Sequence, residues 1–257
     1  MPRDSLIRLA VFLGVLAALL LAERLRPWRR ATPARWPGNL GLGVLGALAV
    51  RATLPAAAVG AALWAETRGI GLLAGAPLWL ALPVALLALD LLIYAQHRVS
   101  HAVPLLWRLH RVHHADPSVD ATTALRFHPL EILLSMALKM AAVVALGAPP
   151  VAVLAFEVLL NATAMFNHAA IRLPPRLERA LRLVLVTPEM HRTHHSEVPA
   201  ETDSCFGFCL PWWDRLFGSY RAAPAAGEAV VIGLPGWRAE AEQRLDRLLL
   251  QPFRRVP

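Results

Sequence analysis

The sequence predicts an all-α integral membrane helical bundle: about five membrane-embedded helices, continuous with a cytoplasmic histidine-bearing helical cap. Three observations carry this. Mean hydropathy is +0.47, and 17% of the 257 residues are charged, against about a quarter in an ordinary soluble domain. The apolar residues gather into long runs broken by arginine-rich or proline-containing stretches. Eight of the ten histidines fall in three short pieces, "QHRVSH", "LHRVHH" and "MHRTHH".

The first run, "LIRLAVFLGVLAALLLA" (6–22), is followed by "ERLRPWRRATPARW" and not by a small-residue cleavage site, so it reads as a membrane span and not as a removable leader. Arg24, Arg26, Arg29, Arg30 and Arg35 follow it, against Arg3 and Arg8 before it. The positive-inside rule places the following loop in the cytoplasm and the N-terminus in the periplasm. Trp28 and Trp36 suit the interface. Runs over 39–65 and 71–94 are each long enough to cross a hydrocarbon core of about 30 Å. Only "ETRG" and its neighbours part them, so they form a hairpin that returns "QHRVSH" to the cytoplasm. Residues 130–168 form a second hairpin, reversed at "GAPP" (147–150), where proline ends a helix. It delivers His168 to the same side. The stretch "WRAEAEQRLDRLLL" (237–250) reads as an amphipathic helix for the membrane surface.

Charges inside apolar runs cost at least about 2.5 kcal/mol each on insertion scales. Arg51, Asp90, Lys139 and Glu157 are such charges and are expected to face the interior, pair or snorkel. Asp90 lies two helical turns before His97, on the same face. Two readings stand side by side for it: acceptor of the free N–H of a metal-ligating imidazole, or partner of Arg51. Formal net charge is +8, from 25 Arg and the single Lys139 against the acidic residues. The arginines flank apolar runs and form no basic face interleaved with aromatics, so nucleic acid is not an expected partner. Cys205 and Cys209 in "CFGFC" lack the CxxC spacing of a zinc or redox site. They read as reduced, small apolar residues on one helical turn.

On a helix, HxxxH stacks two imidazoles one turn apart, and HxxHH gathers positions i, i+3 and i+4 on one face. His97 and His101 form the first kind of box; His110, His113 and His114, and His191, His194 and His195, form the second. Neutral imidazole binds Zn, Cu, Fe and Ni. Eight ligands on one membrane side exceed the shell of one ion, so two metals sharing them is the economical reading. Spacing alone leaves the metal and the chemistry open. A redox metal could activate O2 against a lipid C–H bond, whereas zinc could only hydrolyse or polarise. There is no HExxH, GxSxG or Walker A motif. A membrane metal-binding protein without turnover and a bis-histidine haem protein remain as alternatives.

The residues that choose between these are longer than the boxes. "DLLIYAQHRVSH", "LWRLHRVHHADPSVDATTALRFHPLE", "FNHAAIRLP", "TPEMHRTHHSE" and "WWDRLFGSY" together resemble the fatty acid hydroxylase superfamily, also called the sterol desaturase family, over roughly residues 85–222. The resemblance implies a membrane-bound non-haem di-iron oxidoreductase that uses O2 and external electrons to hydroxylate or desaturate a lipid: fatty acyl, sterol, carotenoid or related alkyl chain. It implies two Fe ions, with Zn possible in purified protein, held by His97, His101, His110, His113, His114, His191, His194 and His195. His168 matches an additional ligand position of the family, and His128 a position whose role varies among its branches. It also implies an electron donor, a ferredoxin or a b-type cytochrome with its reductase, since no Rossmann or haem-binding segment is present. The chain then divides into N-terminal transmembrane helices (1–84), a catalytic domain that includes the membrane hairpin at 130–168 (85–222), and an amphipathic C-terminal tail (223–257). The setting is a bacterial inner membrane. One departure stands out: Cys205-Phe206-Gly207 occupies a place where related sequences read close to Asn-Tyr-Gly.

Overall fold

A computed structural model describes the backbone of residues 3–30 and 32–256, with side chains from Leu6 onward; the Arg3 side chain, counted in the charge balance above, lies outside that description. Among the described residues there is no β-strand, only isolated bridges between Pro27 and Ile171 and between Ser196 and Ile232. Five helical stretches are long and apolar enough to cross a membrane: Leu6–Leu25, Pro33–Arg68, Leu78–Ala102, Pro129–Leu146 and Pro150–His168. The fold is therefore the predicted all-α bundle.

Helix α1 (Arg3–Leu25) lies along α7 (Pro150–His168). The run expected as one helix over 39–65 is two, α2 (Trp36–Thr53) and α3 (Ala57–Arg68). Pro55 lacks the N–H an α-helix needs at that point, so the ladder stops at Leu54 and restarts beyond it. α4 (Leu78–Ala102) and α6 (Pro129–Leu146) complete the bundle. Alanines 58, 61, 62, 85 and 152 are buried where α3, α4 and α7 meet. Their small side chains let backbones approach closely, which is how helices pack where lipid supplies no hydrophobic drive. Leu13, Leu21, Leu48 and Trp79 stay exposed on the outside, as a lipid-facing surface requires.

The turns at one end of the bundle touch. Gly147 ends α6 at φ +61°, and a Cβ on Gly71 would fall 2.1 Å from the Gly147 nitrogen. Leu72 and Leu73 donate to the carbonyls of Ala145 and Leu146 there. α4 and α7 both run from that end toward the other, and the histidines collect at their far ends. The remaining helices are short: α5 (Pro104–His114), α8 (Pro175–Leu181), α9 (Pro188–His194), α10 (Pro199–Thr202), α11 (Trp212–Leu216) and α12 (Leu245–Leu250). Proline opens α5 to α10, where its missing N–H costs nothing and its fixed φ starts the helix sharply.

The tail departs from the expected single amphipathic helix. Residues 240–243 form a 3-10 turn, and only Leu245–Leu250 is α-helical. Trp237 and Leu248 are buried, the latter against Leu42 of α2 and Val112 of α5. Arg111 and Arg254 flank the Trp237 ring, and Arg111 donates to the carbonyls of Gln251 and Arg254. The apolar stripe that suggested a membrane surface is spent on the protein's own α2 and α5.

Candidate metal centre

The histidine-bearing end is set by a buried polar network. Arg35 donates to Asp116 and Asp120, Asn39 to Asp116 and Thr122, and Arg126 to the Val112 carbonyl and Asn39. These contacts tie the segment after α5 to the start of α2. Arg35, counted above as a loop charge, is only 2% exposed and serves this network. Glu23 fixes α1 to the same end by accepting from the backbone N–H groups of Ala121 and Ala170.

Nine histidines converge there in two groups. His97, His101, His110, His114 and His194 form the first, and His113, His168, His191 and His195 the second; within each group one ligand nitrogen from every residue lies within 4.8 Å of the others. The sorting follows from helix geometry. All three positions share one broad face, but i+4 lies closer to the line of i than i+3 does, and i+3 and i+4 lie on opposite sides of it, about 100° apart. In α5 the i, i+4 pair (His110, His114) enters the first group and His113 the second. In α9 and its C-terminal cap His195 the roles invert: His191 and His195 enter the second and His194 the first. The stacked rings of His114 and His195, 4.6 Å apart, join the two groups.

In the first group the outer nitrogens are occupied. Nδ1 of His97 lies 2.7 Å from the Phe206 carbonyl, Nδ1 of His194 2.8 Å from that of Ser204, and Nδ1 of His101 3.1 Å from Asp203 Oδ1. Nδ1 of His110 donates to Glu131 Oε1 at 2.6 Å. An imidazole that donates through Nδ1 presents a lone pair at Nε2, and Nε2 of His97, His110 and His194 is buried without a partner. In the second group His168 donates through Nδ1 to the Ala164 carbonyl, and its Nε2 lies 2.9, 3.0 and 3.2 Å from Nε2 of His191, His113 and His195. One lone pair cannot satisfy three donors. Four Nε2 atoms at those separations do suit a shell about 2 Å in radius around one cation. Burial, and then repulsion among neighbouring imidazoles, pushes His113, His114, His191, His194 and His195 well below the usual histidine value. They are therefore neutral, the form that binds metal. The residues present fit two metal ions.

His128 is not brought to either group. It caps α6: its Nδ1 accepts the Leu130 N–H at 3.2 Å, and its Nε2 faces the Leu249 carbonyl. Asp90 is also placed otherwise than its position on the helix suggests. It touches neither a histidine nor Arg51, which is exposed on α2. Its carboxylate accepts from the backbone N–H groups of Cys209 and Leu210 and from the Trp213 indole. Asp214 holds the same loop from its other side, accepting from Phe206 N, Gly207 N and Ser219 Oγ. The two carboxylates thus fix the segment whose Phe206 carbonyl receives His97. The cysteines do not share a helical turn. Cys205 has φ +53° in non-helical chain, and burial pushes its thiol up to about 11. It is protonated and outside both groups.

Sequence reasoning passed over Glu131, although a carboxylate opening an apolar run is the same signal that drew attention to Asp90. It could not find the Phe206, Ser204 and Ala164 carbonyls, because a backbone oxygen has no residue type to read.

A cavity of about 340 Å3 opens beside the first group, with His97 and His110 in its wall and Phe127, Met136, Leu160 and Phe208 along its length. Most of its lining comes from α4, α6 and α7 of the membrane bundle.

The model of the fatty acid hydroxylase family matches residues 82–219. Ornithine lipid hydroxylase OlsE of Rhizobium tropici is 32% identical over 165 residues, covering 63% of this chain and 47% of that protein. Human alkylglycerol monooxygenase is 33% identical over 153 residues, 58% of this chain and 32% of that protein. Cholesterol 25-hydroxylase of Rattus norvegicus is 27% identical over 143 residues, 55% and 47% respectively. The chain thus aligns with less than half the length of each of these relatives. No solved structure matches it significantly.

Proposed function

The chain belongs to the fatty acid hydroxylase family, and from that membership we propose that it is a membrane-bound non-haem di-iron oxidoreductase acting on a lipid. The observation that carries the reading is the meeting of nine buried imidazoles, in two groups, with a cavity that leads into the apolar bundle. The named activities of its relatives, hydroxylation of ornithine lipid and of cholesterol and oxygenation of alkylglycerol, support a lipid substrate.

His97, His101, His110, His114 and His194 would hold one iron, and His113, His168, His191 and His195 the other. Bound there, iron supplies the one-electron and O2 chemistry that an aliphatic C–H bond demands. Hydroxylation consumes O2, a pair of electrons and a pair of protons, and returns an alcohol and water. Desaturation with the same inputs returns an alkene and a second water. The protein's own part is positional. Glu131, Asp203 and the Phe206 and Ser204 carbonyls set the tautomer and direction of their imidazoles. Phe127, Met136, Leu160 and Phe208 exclude water and guide an alkyl chain to the wall formed by His97 and His110.

The external donor is a ferredoxin or a b-type cytochrome with its reductase. Residues 1–84 anchor the catalytic stretch 85–222, and the tail from 223 straps α2 and α5. Arg24 in the last turn of α1 and Arg26, Arg29 and Arg30 after it stand at the histidine end, which supports cytoplasmic histidine boxes, a periplasmic N-terminus and a bacterial inner membrane.

Purified full-length protein should contain about two irons per chain, or zinc in their place, and show no Soret band. Membranes enriched in it, given O2 and a reducing system, should yield a lipid with added oxygen or a new double bond. A Soret band would support the haem alternative. Loaded iron with an unchanged lipid profile would support metal binding without turnover.

A further inference from the structure

The cavity has a second polar end. Glu131, Ser135 and Lys139 stand four apart on α6 and all line it, so about 12 Å of helix rise separates the first from the last. At the far end Glu157 of α7 receives two cations: Arg8 Nη1 of α1 at 2.5 Å from Oε2, and Lys139 Nζ at 3.4 Å from Oε1. The Lys139 and Glu157 side chains are 10% and 7% exposed. Among the described residues Glu157 is the hydrogen-bond partner of both cations, and no other carboxylate reaches them. Among the described side chains one carboxylate thus faces two cations, Arg8 31% exposed and Lys139 buried, in a bundle where ionisable residues mark ligand paths. A structural clamp between α1 and α7 needs only Arg8 and Glu157. Lys139 is surplus to it, and it faces the cavity.

We propose that Arg8 and Lys139 bind the anionic terminus, a carboxylate, of a single-chain amphiphile whose alkyl chain lies along Phe127, Met136 and Leu160 toward His97. The volume argues for one alkyl chain within the cavity, since about 340 Å3 is at the lower end of small-ligand pockets. Charge argues for the carboxylate: it gives the two cations an anionic partner beside Glu157, through the charge-assisted hydrogen bonds that guanidinium and ammonium groups make best. The site would then select by end group as well as by apolar fit, and the distance from Lys139 to His97 would fix which part of the chain meets the histidines. This assignment rests on the reading of the cavity as the lipid site.

The test measures binding, not turnover, so it is independent of whether the bound chain is oxidised. Full-length, metal-loaded protein in nanodiscs is titrated with radiolabelled dodecanoate and with methyl dodecanoate. The acid should bind about tenfold tighter or more, the margin expected of hydrogen bonds to charged groups. Lys139→Met should erase that preference while metal content stays that of wild type, and Lys139→Arg should restore it. Equal affinity of the wild type for acid and ester would overturn the proposal, even if Lys139→Met does not fold. So would retention of the preference by folded Lys139→Met. Selective binding without any oxidised product would leave the anion site standing and count against the oxidase reading alone.

Discussion

The two histidine groups are built from the same boxes yet are supported in different ways. In the first, four of five imidazoles give Nδ1 to an acceptor outside the group: Phe206 O, Ser204 O, Asp203 and Glu131. In the second, only His168 does so, through Ala164 O, and Nδ1 of His113, His191 and His195 is buried without a partner. Packing orients those rings instead: His113 lies flat on Phe127, with centroids 4.3 Å apart and planes 12° from parallel. The difference matches position. The first group borders the cavity through His97 and His110, so its rings need directional restraint on a side where a ligand, not protein, packs against them. The second is enclosed and has four members where the first has five.

Removing one ligand from each group gives the largest contrast. His191→Ala leaves three imidazoles in the second group, an incomplete shell. It should bind about one metal per chain in place of about two and lose turnover. His101→Ala leaves four in the first group. It should keep close to two metals while turnover falls roughly 10- to 100-fold, the usual cost of disturbing a ligand's surroundings. Metal analysis of both purified variants checks this; equal metal loss in the two would dissolve the distinction between a five-member and a four-member group.

A smaller effect separates restraint by hydrogen bond from restraint by packing. Glu131→Ala removes the acceptor of His110 Nδ1 and should weaken metal retention in the first group roughly 10- to 100-fold. Glu131→Gln keeps an acceptor oxygen but no charge, and should fall between Ala and wild type. Chelator competition should show one of the two metals released faster and the other unchanged. Release of both at the same higher rate would mean that Glu131 supports the whole cap and not one group.

Much of this arrangement is legible in the amino-acid order, for definite reasons. Apolar length marks the five spans, and the i, i+3, i+4 spacing of α5 and α9 marks the convergence of imidazoles. Pro55 was readable as a break, but the apolar run continued on both sides and masked it. Asp90 shows the limit of periodicity. Residues seven apart do share a helix face, but that face also meets the 206–213 loop, whose backbone N–H groups compete successfully for the carboxylate. The tail shows the same limit, since an amphipathic stripe specifies an apolar neighbour without saying whether lipid or protein provides it.

The smallest effect concerns the loop that supplies two of the four acceptors of the first group. Its residue Cys205 sits at φ +53°, a conformation that costs a residue other than glycine about 1–2 kcal/mol and that asparagine tolerates best among the rest. Asparagine, the residue that the family resemblance leads one to expect at this place, suits that backbone. The thiol Sγ lies 3.3 Å from both the Arg221 nitrogen and the Arg221 carbonyl oxygen, an acceptor and donor task that a side-chain amide fulfils with stronger groups. Cys205→Asn should therefore stabilise the protein by about 1 kcal/mol, a rise of roughly 2–4 °C in apparent Tm for a chain of this size. Cys205→Ala keeps the strained backbone and loses both contacts, so it should lower Tm. Because Ser204 O and Phe206 O flank this residue and receive His194 and His97, the asparagine variant should also slow metal release from the first group and leave the second unchanged. A lower Tm for Cys205→Asn than for Cys205→Ala would show that tight packing around the fully buried thiol, and not backbone conformation, decides which residue this position accepts.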